Sequence, residues 1–243
     1  MTPATTHQRA TIIHGYGATP EDHWFGWLAQ QLESHGIPTT VPRLPNPLHP
    51  DPTHWSAIVR TAVGTPDEHS LVIAHSLGCL TVLRHLASLP TPWRLGTLIL
   101  VAGFVDPLPV FPELDAYIAD GCPLEAITPN VDQLTIIRSD ADPYVPPAHT
   151  DRLAALLGTT STVIPAAGHF LTTDGFTTLP QALRDVLPRP IAYDSRQGDD
   201  YTEYCQHVAA ASQSAYAQGE VWSRDEGRQP MPECRQIGWL PLS

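Results

Sequence analysis

Ser70-Leu71-Val72-Ile73-Ala74-His75-Ser76-Leu77-Gly78-Cys79-Leu80 is the stretch whose reading decides the fold. The unbroken apolar run Leu71 to Ala74 predicts a buried strand, and the residues from Leu77 to about Leu89 predict a helix, with one tight turn between them. That turn, Ala74-His75-Ser76-Leu77-Gly78, fits the nucleophile-elbow pattern G-x-S-x-G, with alanine in place of the first glycine. The positions two before and two after the serine must be small, because the backbone is strained and strand and helix approach closely. In such a turn the serine Oγ stands above the sheet at a helix start, where the free N–H of Leu77 stabilises a developing oxyanion. The plainer reading is a serine that caps an ordinary helix after a strand, so the rest of the chain has to discriminate.

The 243 residues suit one domain with an appendage, and 42% hydrophobic residues suffice for a substantial core. A net charge of −12 and a pI near 5.3 argue against nucleic acid and anionic membrane surfaces as partners. All thirteen basic residues are arginine, which removes the lysine that a P-loop, a Schiff base or a serine-lysine dyad requires. The polar first nine residues lack a signal-peptide core, and no apolar run is long enough to span a bilayer. The expectation is a soluble cytoplasmic protein without a membrane partner. Cys79, Cys122, Cys205 and Cys234 lie far apart without zinc-like pairing and read as thiols.

Outward from the elbow, strands are expected at Ala10 to Ile13, Ile37 to Val41, Leu95 to Val101, Leu134 to Arg138 and Thr160 to Ile164. Helices are expected from about Glu21 to a stop at Gly36, at Trp55 to Val63, at Asp151 to Leu157 and at Leu179 to Leu187. With the elbow strand this alternation predicts a three-layer α/β/α sandwich around a mostly parallel six-stranded sheet, joined by right-handed crossovers. Loops at the carboxyl ends of the strands would then build the site. His14-Gly15-Tyr16-Gly17, the elbow, Asp140-Ala141-Asp142-Pro143 and Ala167-Gly168-His169 all follow strands and should meet there.

Serine, acid and histidine occur in the chain order of α/β-hydrolases. Asp142 is the favoured acid because the adjacent proline turn fixes its carboxylate, while Asp140, nearer the strand, is the alternative that would satisfy backbone N–H groups of the turn. His169 is the favoured base. His149, just before a helix, and His207, inside one, compete with it, and most of the twelve histidines are expected to be structural or exposed. His14 and His75 read as orienting or packing residues. Metal hydrolysis is disfavoured, since there is no H-E-x-x-H and no close ligand cluster beyond His49 and His54. No cofactor is expected.

On these motifs the chain resembles the small serine hydrolases of the YdeN and retinoblastoma-binding-protein-9 family, within the α/β-hydrolase superfamily. The resemblance rests on His14-Gly15-Tyr16, His23-Trp24-Phe25-Gly26-Trp27-Leu28, Leu44-Pro45-Asn46-Pro47, the elbow, the Asp142 turn and Gly168-His169-Phe170, and covers about Thr11 to Leu187. It implies a compact hydrolase core with Ser76, Asp142 and His169 as the triad, and the backbone N–H of Tyr16 as second oxyanion donor beside that of Leu77. Ester hydrolysis follows as the expected activity, with protein partners in some members, so a protein-interaction module with little turnover is the competing reading. Intact triad candidates argue against that alternative.

The domain expected is 1–187. Residues 188–243 form an extension beyond it, with a helix expected from Gly198 to Gly219 and enough aromatic residues to favour packing on the core. Between the fourth and fifth strands, Gly103 to Asn130 occupies the place of a lid. Pro107, Pro109, Pro112, Pro123 and Pro129 leave room there only for a short helix, Glu113 to Asp120. Phe104, Val105, Leu108 and Phe111 are the expected pocket wall, and the expected substrate is a small or short-chain ester.

Overall fold

The computed structural model describes residues 9–184 and residue 186, so the expectations for residues 188–243, and for His207 with them, lie outside the described residues. Six strands form one parallel sheet: β1 (Arg9–Ile13), β2 (Thr39–Thr40), β3 (Ser70–His75), β4 (Leu95–Val101), β5 (Val131–Ser139) and β6 (Thr162–Ile164), in the order β2-β1-β3-β4-β5-β6. The chain steps from β1 outward to β2, then returns past β1 to β3 and continues the other way. Right-handed crossovers therefore put α1 (Phe25–Ser34) on one face, and α2 (Pro52–Val63), α3 (Leu77–Ala87) and α5 (Pro147–Leu156) on the other.

The side chains follow the two-residue period of the strands. Ile12, Leu71, Ile73, Ile99, Val101 and Ile137 pack with Phe25, Leu28 and Leu32 of α1, and with Ala182 of α6 (Pro180–Arg184). Ile13, Val72, Ala74, Leu98, Leu100 and Ile136 pack with Trp55 and Val59 of α2, with α3, and with Leu153 of α5. The fold is the expected three-layer sandwich.

Several boundaries differ, each for a local reason. The first helix begins at Phe25 rather than near Glu21, because the Asp22 carboxylate is engaged with the N–H and hydroxyl of Thr19 and His23 has φ 56°, outside the helical region. Its end is a Schellman motif: Gly36, at φ 76°, donates to Glu33 and Ile37 donates to Leu32. β2 shrinks to two residues because Pro38 and Pro42 bring no N–H to a ladder. α2 starts earlier than expected, at Pro52, where the Asp51 carboxylate accepts the His54 N–H, a cap worth about 1 kcal/mol. α5 likewise starts on a proline, Pro147.

In the lid region α4 (Asp115–Ile118) follows a single 3₁₀ turn at Pro112–Leu114, shorter than expected because Ala119 leaves the helix at φ 43°. Arg84 of α3 donates to the carbonyls of Tyr117, Ile118 and Gly121, and the Tyr117 hydroxyl bonds Thr81 at 2.7 Å. The segment is thereby fastened to the helix that follows the elbow.

Candidate active site

Ser76 stands between β3 and α3 at φ 54° and ψ −127°, a backbone conformation a serine rarely adopts. It is the N-cap of α3 by position, yet its side chain makes no capping hydrogen bond. The turn is held by the Ser76 N–H donating to Val101 and by the Cys79 N–H donating to Ser76. A Cβ at Gly78 would overlap the His14 carbonyl oxygen and approach that of Ile13 to 2.9 Å, so the small residue after the serine is required where α3 passes the end of β1. Gly15 is equally constrained: a Cβ there would lie 2.7 Å from the Ser76 Cβ. The loop after β1 thus rests directly on the elbow. Neither the Tyr16 nor the Leu77 backbone N–H finds an acceptor among the described residues.

His14 secures that loop from below. Buried between β1 and α2, its Nδ1–H donates to the Gly15 carbonyl at 3.0 Å and its Nε2 accepts the Leu44 N–H at 3.0 Å, while Trp55 packs edge-on against the ring. Burial lowers its pKa, so it acts as a neutral bridge between the first loop and Leu44-Pro45-Asn46-Pro47. His75 is also buried, and its Nε2–H donates to the His169 carbonyl at 2.9 Å. Desolvation holds its pKa well below the usual histidine range.

The loops after β5 and β6 are tied together. The Ser139 hydroxyl accepts from the N–H groups of Ala141 and Ala167, and the Asp140 carboxylate accepts from Ala166 at 2.7 Å. Asp142 does something else. Its Oδ1 accepts the Tyr144 and Val145 N–H groups beyond Pro143, and its Oδ2 meets His169 Nδ1 at 2.7 Å. Both side chains are withdrawn from water, at 3% and 8% exposure. Asp140 and Asp142 therefore divide as a turn-binding and a histidine-binding carboxylate.

Ser76 and His169 line one cavity of about 240 Å³ at the carboxyl edge of the sheet, beside the crossover between β1 and β3. Phe104, Leu108 and Phe111 line it, together with Tyr16, Leu114, Tyr144 and Val145. Val105 does not belong to its wall. That side chain packs in the core cluster, and the turn at Gly121 lies against its backbone, 2.8 Å separating the Val105 carbonyl from a Cβ placed on the glycine. His149 is on α5 and is not part of the cavity. Among the described residues no group of three His, Cys, Asp or Glu side chains is placed to hold a metal ion, and no helix is long and apolar enough to cross a membrane.

Residues 10–187 match the family model described as serine hydrolase. The chain belongs to the serine hydrolase family. It is 34% identical over 185 residues to YdeN of Bacillus subtilis (strain 168), an alignment that covers 76% of this chain and 97% of YdeN. The crystal structure of the ydeN gene product superposes with a TM-score of 0.70 at 33% identity, covering 73% of this chain and 95% of that one. Est1E from Butyrivibrio proteoclasticus shares the fold at 18% identity, with a TM-score of 0.51 over 70% of this chain and 82% of its own. The sheet order and helical layers are those of the α/β-hydrolases.

Three features of the site in this serine hydrolase are absent from the sequence reading. Asp174 accepts the N–H groups of His169 and Leu171, and its carboxylate fills the space that a Cβ on Gly168 would take. The signal available was Thr172-Thr173-Asp174-Gly175, a turn with a left-handed glycine at φ 88°. Tyr144, beside the acid, packs edge-on to His169 at 5.5 Å and continues through Phe111 to Tyr16 as a ring of aromatics. The third is His23, whose cavity position depends on the left-handed turn ahead of α1.

Proposed function

We propose that this serine hydrolase is a carboxylesterase acting through Ser76, His169 and Asp142. Ser76 Oγ attacks the ester carbonyl carbon while His169 Nε2 takes its proton. Asp142 accepts the Nδ1–H, which fixes the tautomer and favours the imidazolium. The oxyanion accepts from the Tyr16 and Leu77 N–H groups. Collapse breaks the bond to the leaving alcohol, which takes the proton from His169, and water then cleaves the acyl-enzyme by the same steps. The cycle calls for no cofactor.

The observation that carries this reading is the strained, uncapped Ser76 sharing a cavity with a histidine whose far nitrogen is held by a buried carboxylate. A serine used as a helix cap would have its oxygen on a backbone N–H. The test is a fluorophosphonate probe. Stoichiometric phosphonylation mapped to Ser76 is expected, and a protein that stays unlabelled overturns the reading.

The wall formed by Phe104, Leu108 and Leu114 favours a short acyl group, since each buried CH₂ gains about 0.8 kcal/mol only while the wall lasts. The lid segment, fastened by Arg84, contributes only the four-residue α4, too short a helix to extend that wall. In a series of p-nitrophenyl esters, kcat/KM is expected to peak at short chains and fall toward palmitate. A rise continuing to palmitate would place a longer acyl tunnel here.

A further inference from the structure

His23 is a polar residue of the cavity that the proposed reaction leaves unused. Its backbone is left-handed, its N–H donates to Thr172 Oγ1 at 3.1 Å, and its Nδ1 accepts the Thr172 N–H at 3.1 Å. An imidazole nitrogen that accepts an N–H carries no proton, so the neutral ring holds its proton on Nε2. Burial lowers the pKa of the group against the opposing charges of Asp22 and Asp174, and so favours that neutral form. The ring is clamped edge-on against Phe25 at 5.4 Å and His75 at 6.0 Å. Nε2–H, on the edge away from Thr172, has no acceptor among the described residues.

The two walls of the cavity differ in kind. Phe104, Leu108 and Leu114, from the core cluster on the α3 face of the sheet, make one wall wholly apolar. His23 stands on Phe25, which belongs to the cluster on the α1 face, and brings a fixed donor with no acceptor among the described residues. With the acyl group on the apolar wall, as the esterase reading has it, the wall left for the alcohol arm is the one that His23 lines.

Resting on the esterase reading, we propose that His23 determines specificity, its Nε2–H binding a neutral acceptor oxygen, ether, hydroxyl or carbonyl, on the alcohol arm of the substrate. Such a donor rejects an arm that lacks the acceptor, because the N–H is then desolvated without a partner.

Butyl acetate and 2-methoxyethyl acetate test this, since they have the same acyl group and arms of equal length that differ by one CH₂ in place of one oxygen. The readout is the ratio of their kcat/KM values in a pH-stat, in which any loss common to both cancels. His23→Asn is the informative variant: asparagine tolerates positive φ, and its Oδ1 replaces Nδ1 toward Thr172, but it is too short to return a donor to the position of Nε2. The preference for the methoxyethyl ester is expected to fall about fivefold in His23→Asn, the size of one neutral hydrogen bond, and to recover in His23→Gln, whose amide reaches further. An unchanged ratio in His23→Asn overturns the proposal and leaves the esterase reading standing. Failure of the wild type to cleave either ester overturns both.

Discussion

Ser76→Ala is expected to lower kcat/KM for p-nitrophenyl acetate on the order of 10⁴–10⁶-fold, as loss of a nucleophile that works as a unit with its base does. The fold should be nearly untouched. The Ser76 side chain makes no capping bond, and the bonds that hold the elbow run through its backbone N–H and carbonyl, which alanine keeps. Alanine also enters the φ 54° conformation at a cost similar to that of serine. A change in stability below 1 kcal/mol corresponds to a thermal midpoint shifted by less than about 4 °C for a chain of this size. Turnover and thermal unfolding measured on the same preparation separate the two effects. A variant that hydrolyses the ester as the wild type does removes Ser76 as nucleophile, and one that fails to unfold cooperatively assigns the loss to structure.

Asp142→Asn is expected to cost about 10³–10⁴-fold in kcat, with Asp140→Asn changing it only a few-fold. In Asp142→Asn the remaining Oδ1 still accepts the Tyr144 and Val145 N–H groups, so the turn persists. The new NH₂ faces His169 Nδ1, where it can only donate, and the imidazole answers by moving its proton to Nε2, the atom that must accept from Ser76. Among the described residues Asp140 receives only the Ala166 N–H, a bond that an asparagine oxygen retains. Steady-state kinetics of the pair decide the matter, and a larger loss at Asp140 would transfer the acid role to it.

Patterns confined to one element were legible in the chain. The apolar run Leu71 to Ala74, followed at once by the small-residue turn and a helical period, specifies strand, turn and helix by local propensity and sterics alone. Alternating strands and helices then imply a parallel sheet, and with it the edge at which the loops ending in Tyr16, Ser76, Asp142 and His169 assemble. Even the division of labour between Asp140 and Asp142 had a local sign, the proline next to the latter.

Properties that depend on what passes close by in space could not be read this way. That Gly15 admits no side chain is a consequence of the approach between the first loop and the elbow, about sixty residues apart in sequence. Phe104 lines the cavity and its neighbour Val105 does not, although both are apolar and both belong to the same buried cluster. Asp174 stands in a polar turn in the sequence, and His23 in the expected first helix, with no sign of a site role for either. Their roles arise from backbone N–H groups of the loop between them, those of His169, Leu171 and Thr172, which have no sequence signature since every residue but proline carries one. The sequence by itself determined the layers, the sheet edge and the residue types gathered there, because periodicity and turn sterics act over a few residues. Only the tertiary structure decided which backbone N–H groups Asp174 and His23 accept and which apolar side chains line the cavity, because those are set by hydrogen-bond partners and packing from segments the chain order keeps apart.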